Sequence, residues 1–185
     1  MREAAIVGLL GLLLPAWIMF GLADWYFHRK SNIARTSGWP ESACHILLTA
    51  EAGFAVLLAM FFEVTTLVAL ILIAAYVAHE LTTGADVSWA TPRRDVIAHE
   101  QRVHDYLTAT PFAALFTTIV IHPAAWAWLA TDGPPDWGLR LRDSLPPIWY
   151  LTLFLLGSCL NGLAYLEEFA RCWKARGLER SPTKP

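Results

Sequence analysis

Between Ala43 and Ala78 the chain carries no lysine or arginine and only two acids, Glu51 and Glu63. At 1.5 Å per residue, a run of about 36 residues is too long for one crossing of a bilayer and about right for two. A tight hairpin near Phe62 to Thr66 is therefore expected, with spans over 43–62 and 64–83. Apolar runs over 4–23, 109–130 and 147–166 are each of spanning length as well. The reading is an all-α integral membrane bundle of five transmembrane helices, one transmembrane domain over 1–185 with a basic tail at 171–185. Composition agrees, since 56% of the residues are hydrophobic and only 16% charged, too apolar for an ordinary soluble domain of this size. The formal net charge of −2 gives nucleic acid nothing to hold. Three cysteines without C-x-x-C spacing are expected to be free thiols.

The first run is longer than the apolar core of a signal peptide, so it is expected to be retained as a span. Gly38, Pro40 and Glu41 mark the start of the second helix. The stretch from Gly84 to Pro92 holds Gly, Asp, Ser and Pro and is expected to be a loop, followed by a helical extension over 93–107. Pro111 is a candidate kink. Thr131 to Asp136 is a further loop, and Pro146-Pro147 opens the fifth segment.

Orientation follows from the short connections. Arg29, Lys30 and Arg35, then Arg93, Arg94 and Arg102, then Arg171, Lys174, Arg176, Arg180 and Lys184 all flank the same ends of the spans. The opposite ends carry only Arg2, Arg140 and Arg142. The excess of positive charge places the N-terminus outside and the C-terminus in the cytoplasm, and the expected location is a bacterial inner membrane. Trp25, Trp39, Trp89 and Trp173 fall near the inner interface and Trp126, Trp128, Trp137 and Trp149 near the outer one.

Within this topology the ionisable residues recur in pairs. In His99-Glu100-Gln101-Arg102-Val103-His104, Glu100 and His104 are one helical turn apart and share a face. Asp24 with His28 and Glu41 with His45 repeat the spacing, and His79-Glu80 and Glu167-Glu168 close two further segments. Any one of them is most simply a charge meeting water at a helix end. Three acid-x-x-x-His pairs among six histidines, gathered on one side of a membrane, instead point to a metal site. The candidate ligands are Asp24, His28, Glu41, His45, His79, Glu80, Glu100, His104 and Glu168. Glu168 is preferred to Glu167 because it shares a face with Ser158, Asn161, Tyr165 and Cys172. His99, about 140° from His104, is expected at the surface.

Glu51 and His122 lie 10 to 11 residues beyond Glu41 and Pro111, hence roughly 15 Å along their helices. They are candidates for catalysis, as a proton-carrying or substrate-positioning pair, or for simple mutual satisfaction. Arg93 and Arg94 could hold an anionic substrate headgroup.

These residues resemble, in architecture, the integral-membrane di-iron oxygenases, desaturases and hydroxylases. Those enzymes carry metal ligands at the cytosolic ends of helices and admit an apolar substrate from the bilayer. The histidine boxes of the membrane desaturases do not occur here, and the Glu-x-x-His step of ferritin-like proteins is replaced by a four-residue one. The resemblance implies a membrane oxidoreductase that uses O₂ and an iron cofactor of two ions on a lipophilic small molecule, with an electron donor as partner. Zinc or manganese would suit the same ligands, zinc making a lipid hydrolase. A haem-binding or accessory subunit of a membrane complex is the third reading.

Overall fold

A computed structural model describes residues 8–131, 133–144 and 146–179. The described residues are all-α, with five long helices: α1 (Leu14–Lys30), α2 (Trp39–Phe61), α3 (Thr66–Ala90), α4 (Ala98–Ile121) and α5 (Ile148–Glu179). No strand is present among them, only one antiparallel bridge between Phe62 and Leu141. Residues 4–7 of the expected first span and 180–185 of the tail lie outside the described residues.

Helix α1 packs on α4 and α5, α5 on α2, α2 on α3, and α3 on α4, so the five close a ring. Short connections make α1, α2, α3 and α4 run alternately up and down. The C-terminal ends of α1, α3 and α5 and the N-terminal ends of α2 and α4 therefore meet at one end of the ring. Apolar packing dominates the other end, where Leu14, Ile18, Met60, Tyr150 and Phe154 are buried together and Leu58, Val68 and Leu72 form a second cluster. There the chain 133–144 lies across the α2–α3 turn, with the Glu63 amide donating to the Arg140 carbonyl and the Arg142 amide to the Phe61 carbonyl, both at 2.9 Å.

Helix α1 meets α5 at close range. Ile18 lies where a Cβ on Gly157 would stand, and a Cβ on Gly21 would come within 2.9 Å of the Asn161 amide. Small residues thus let the two backbones approach, as in membrane helix pairs. Large apolar side chains such as Met19, Phe54, Leu81, Phe116, Leu155 and Leu163 are half exposed or more around the outside.

Three helices, Trp39–Phe61, Thr66–Ala90 and Ile148–Arg176, are long and apolar enough to cross a membrane. A fourth is added if Ala98–Ile121 and Pro123–Leu129, bent 75° from each other, form one span. The hairpin expected near Phe62 to Thr66 is present.

Several boundaries differ from the sequence reading. Helix α1 runs past residue 23 to Lys30, and the helical extension expected over 93–107 begins only at Ala98. Helix α3 does not stop at Thr83 but runs through Gly84 and Asp86 to Ala90. The hydroxyls of Ser88, inside the helix, and of Thr91, at its C-cap, bond back to the carbonyls four residues earlier, at 2.6 and 2.7 Å. The expected fourth span, 109–130, is broken at His122, because Pro123 has no N–H and bars the α conformation from the residue before it. Pro111 lies inside α4 without ending it. The fifth helix continues past 166 to Glu179, and its 32 residues extend about 48 Å, more than a bilayer core requires.

Candidate metal centre

The three acid-x-x-x-His pairs converge at the polar end of the ring. Asp24 and His28 come from the last turns of α1, Glu41 and His45 from the start of α2, and Glu100 and His104 from the start of α4. His28 Nε2 is 3.3 Å from both Asp24 Oδ1 and Glu100 Oε1, and His104 Nε2 is 2.8 Å from the same Asp24 oxygen. His45 Nε2 points instead toward Asp86 Oδ1, at 3.5 Å. Three sets of potential ligand atoms lie within 4.8 Å of one another: Asp24, His28 and His45; His28, Glu100 and His104; Glu41, His45 and Asp86.

Glu168 faces the two imidazoles from the other side. Its Oε2 is 3.1 Å from His28 Nδ1 and its Oε1 2.7 Å from His45 Nδ1, while the two rings stack at 4.4 Å. A carboxylate accepts only, so this arrangement selects an N–H on both Nδ1 atoms, and a neutral ring then keeps its lone pair on Nε2. Both Nε2 atoms face carboxylate oxygens. Asp24 Oδ1, His28 Nε2, both oxygens of Glu100 and Asp86 Oδ1 are buried without a hydrogen bond of acceptable geometry. A cation at each Nε2, a proton or a metal ion, satisfies such contacts.

The remaining atoms are held. Tyr165 donates its hydroxyl to Asp24 Oδ2 at 3.1 Å, with the Gly21 carbonyl at 3.2 Å. Arg94 donates from Nε and Nη2 to Glu41, the shorter bond 2.6 Å, and its Nη1 is 2.6 Å from Glu100. Glu41 and Glu100 also lie in the first turns of their helices, where the backbone dipole favours a negative charge. Burial opposes the charge on Arg94, but Glu41 and then Glu100 outweigh it and raise its pKa, so the guanidinium remains a cation. With the imidazoles neutral, five buried carboxylates (Asp24, Glu41, Asp86, Glu100, Glu168) against this one guanidinium leave four formal negative charges. Two divalent ions would balance them.

His79 and Glu80 are not brought into this cluster. His79 Nδ1 is 3.5 Å from Glu51 Oε2, deeper along α3, and Glu80 lies one turn after Tyr76. Glu51 also accepts from the Thr82 hydroxyl at 2.9 Å. His122 stands at the end of α4, its Nδ1 3.0 Å from the Thr118 carbonyl, and lines the same cavity as Glu51 and His79. Of the two arginines read as headgroup ligands, Arg94 is buried between carboxylates, while Arg93 is exposed and stacks on Trp89 at 3.5 Å. His99 is exposed. Glu167 faces outward, accepting from Trp25 Nε1 at 2.8 Å and pairing with Arg29 at 3.1 Å.

Asp86 was not among the residues singled out from sequence, nor was Tyr165 given a role. Asp86 had a signal: it lies seven residues after His79, two turns on along one face. A cavity of about 490 Å³ opens beside the cluster, with Asp24, His45, Asp86, His104 and Tyr165 in its wall.

Fold and site together define an all-α bundle of apolar helices that closes at one end around a buried, carboxylate-rich histidine cluster. No family model, curated protein or solved structure matches the chain.

Proposed function

We propose that the chain is a five-span integral membrane protein, N-terminus outside and C-terminus cytoplasmic, whose polar end binds two metal ions and oxidises a lipophilic molecule with O₂. The observation that carries the metal is the set of imidazole nitrogens held against buried carboxylates: His28 Nε2 against Asp24 and Glu100, His45 Nε2 against Asp86. One ion would take Asp24, His28, Glu100 and His104, and the second Glu41, His45 and Asp86. Mixed imidazole and carboxylate ligands suit iron, and a pair of irons in a helix bundle supplies O₂ activation. Hydroxylation of a C–H bond consumes O₂, two electrons and two protons and yields the alcohol and water, so a separate reductant is required. The protein's own part is to hold the ligands. Glu168 fixes the tautomers of His28 and His45, Tyr165 turns Asp24 Oδ1 toward the site, and Arg94 offsets the charge of Glu41 and Glu100. Two histidines with one carboxylate are also the ligand set of hydrolytic zinc enzymes, so zinc and a metal-activated water form the second reading.

The test is elemental analysis of protein purified in detergent without chelators. Iron at one to two equivalents is expected, falling sharply in Glu100→Ala and His104→Ala and unchanged in His99→Ala. Metal well below one equivalent in folded wild-type protein would overturn the metal site, and zinc in iron's place would select the hydrolase.

Orientation has its own check. With the three native cysteines replaced by serine, Trp137→Cys should react in intact cells with an impermeant thiol reagent and Lys174→Cys should not. The reverse pattern inverts the topology.

A further inference from the structure

A second cavity, about 380 Å³, adjoins the first and shares Trp17, Tyr76 and His79 with it as wall residues. Its lining is otherwise mostly apolar and aromatic, and its volume is in the range of small-molecule sites. Among its polar atoms, Glu51 Oε2 and His79 Nδ1 are buried and face each other at 3.5 Å, an ion-pair contact without a hydrogen bond of good geometry. The other oxygen of Glu51 is already engaged by the Thr82 hydroxyl. We propose that this cavity binds an apolar molecule with a neutral hydroxyl head, whose O–H donates to Glu51 Oε2 beside His79.

The chemistry of the wall selects this class. A carboxylate can only accept, so the head must be a donor, and a fatty acid would set a second carboxylate against Glu51. An ammonium head would be stripped of water in an apolar pocket whose wall also holds Arg142, a like charge. A hydroxyl can donate to Glu51 and lose little hydration, and its tail can lie along Trp17, Leu72, Ala114 and Tyr150. Because His79 lines both cavities, the head of a molecule seated here lies at the wall shared with the cavity beside His45 and Asp86. The inference gives a substrate class to the reading above, but the binding itself does not depend on the metal.

The experiment uses the full chain in lipid nanodiscs with photoactivatable diazirine analogues of dodecanol, dodecanoic acid and dodecylamine, and labelled residues located by mass spectrometry. Saturable labelling of the cavity wall by the alcohol, and far weaker labelling by the acid and the amine, is the expected result. Glu51→Leu should weaken labelling by the alcohol about tenfold, the cost of one hydrogen bond to a charged acceptor. Glu51→Gln, which accepts without repelling, should admit the acid. Equal labelling of wild type by acid and alcohol, or an unchanged alcohol affinity in Glu51→Leu, overturns the proposal. Metal measured in the same samples keeps the two readings apart: alcohol binding without metal would sink the oxidase and leave this site, and the converse would do the opposite.

Discussion

Arg94→Met will lower the melting temperature of the metal-free protein by roughly 6–20 °C, whereas Arg93→Met will leave it within a few degrees of wild type. The two arginines are adjacent in sequence and differ only in what surrounds them. Arg93 is exposed and stacks on Trp89, a contact worth less than about 1 kcal/mol at such a site. Arg94 is buried, and its three nitrogens reach Glu41 and Glu100. Removing it leaves two buried carboxylates uncompensated, which costs about 3–5 kcal/mol in a buried ion pair. For a chain of this size that converts to roughly 2–4 °C per kcal/mol. Arg94→Lys should recover little of the loss, because one ammonium cannot present the fork that spans both acids. Loading with metal should narrow the gap between Arg94→Met and wild type, since bound cations compensate the same carboxylates. Thermal melts in detergent, with and without chelator, measure all four cases. Equal melting of Arg93→Met and Arg94→Met would show that the guanidinium does not hold the acids together.

The contrast between these arginines marks where sequence reasoning stopped. Acid and histidine four residues apart must share a helix face, and the ends of apolar runs must be the ends of helices, so Asp24, His28, Glu41, His45, Glu100 and His104 were legible from spacing alone. The face of α5 was legible for the same reason, and Glu168 turns inward while Glu167 pairs with Trp25 and Arg29. Asp86 was hidden by its neighbours: Gly84, Ser88 and Pro92 have the composition of a loop, yet tertiary packing keeps α3 helical to Ala90. That extension also removes His79 from the centre. It lies seven residues before Asp86 on the same face, about 10 Å further down the helix, where it meets Glu51 instead. The end of the fourth span was misplaced for the opposite reason, since hydropathy runs on through 109–130 while Pro123 stops the helix at His122. Local pattern therefore located the faces, and the partners across the ring, Arg94 with Glu41 above all, needed the fold.

Glu168→Gln will cut metal affinity about 10- to 100-fold, the usual cost of losing a carboxylate that orients a ligating histidine, although the side chain keeps its size. Its two oxygens meet the Nδ1 atoms of His28 and His45, at 3.1 and 2.7 Å, and as acceptors they permit both rings to carry the proton there. Glutamine has one oxygen and one NH₂ group. The oxygen can accept from one Nδ1–H, but the amide must donate to the other ring, which then needs a lone pair on Nδ1 and moves its proton to Nε2. An Nε2–H cannot ligate, so one of the two proposed ions should be lost before the other. The substitution keeps volume and burial, which separates this effect from the cavity and the unpartnered rings that Glu168→Ala would leave. Glu167→Gln, on the outward face, should change nothing in metal binding. Chelator competition reads the affinity, and nitrogen chemical shifts of labelled histidine read the tautomers in metal-free protein. If both rings of Glu168→Gln keep the proton on Nδ1, or if metal is held as tightly as in wild type, Glu168 does not set the tautomers. A shift of one ring to the Nε2–H form without any metal in the wild type would preserve the positioning role and remove the ions it was positioned for.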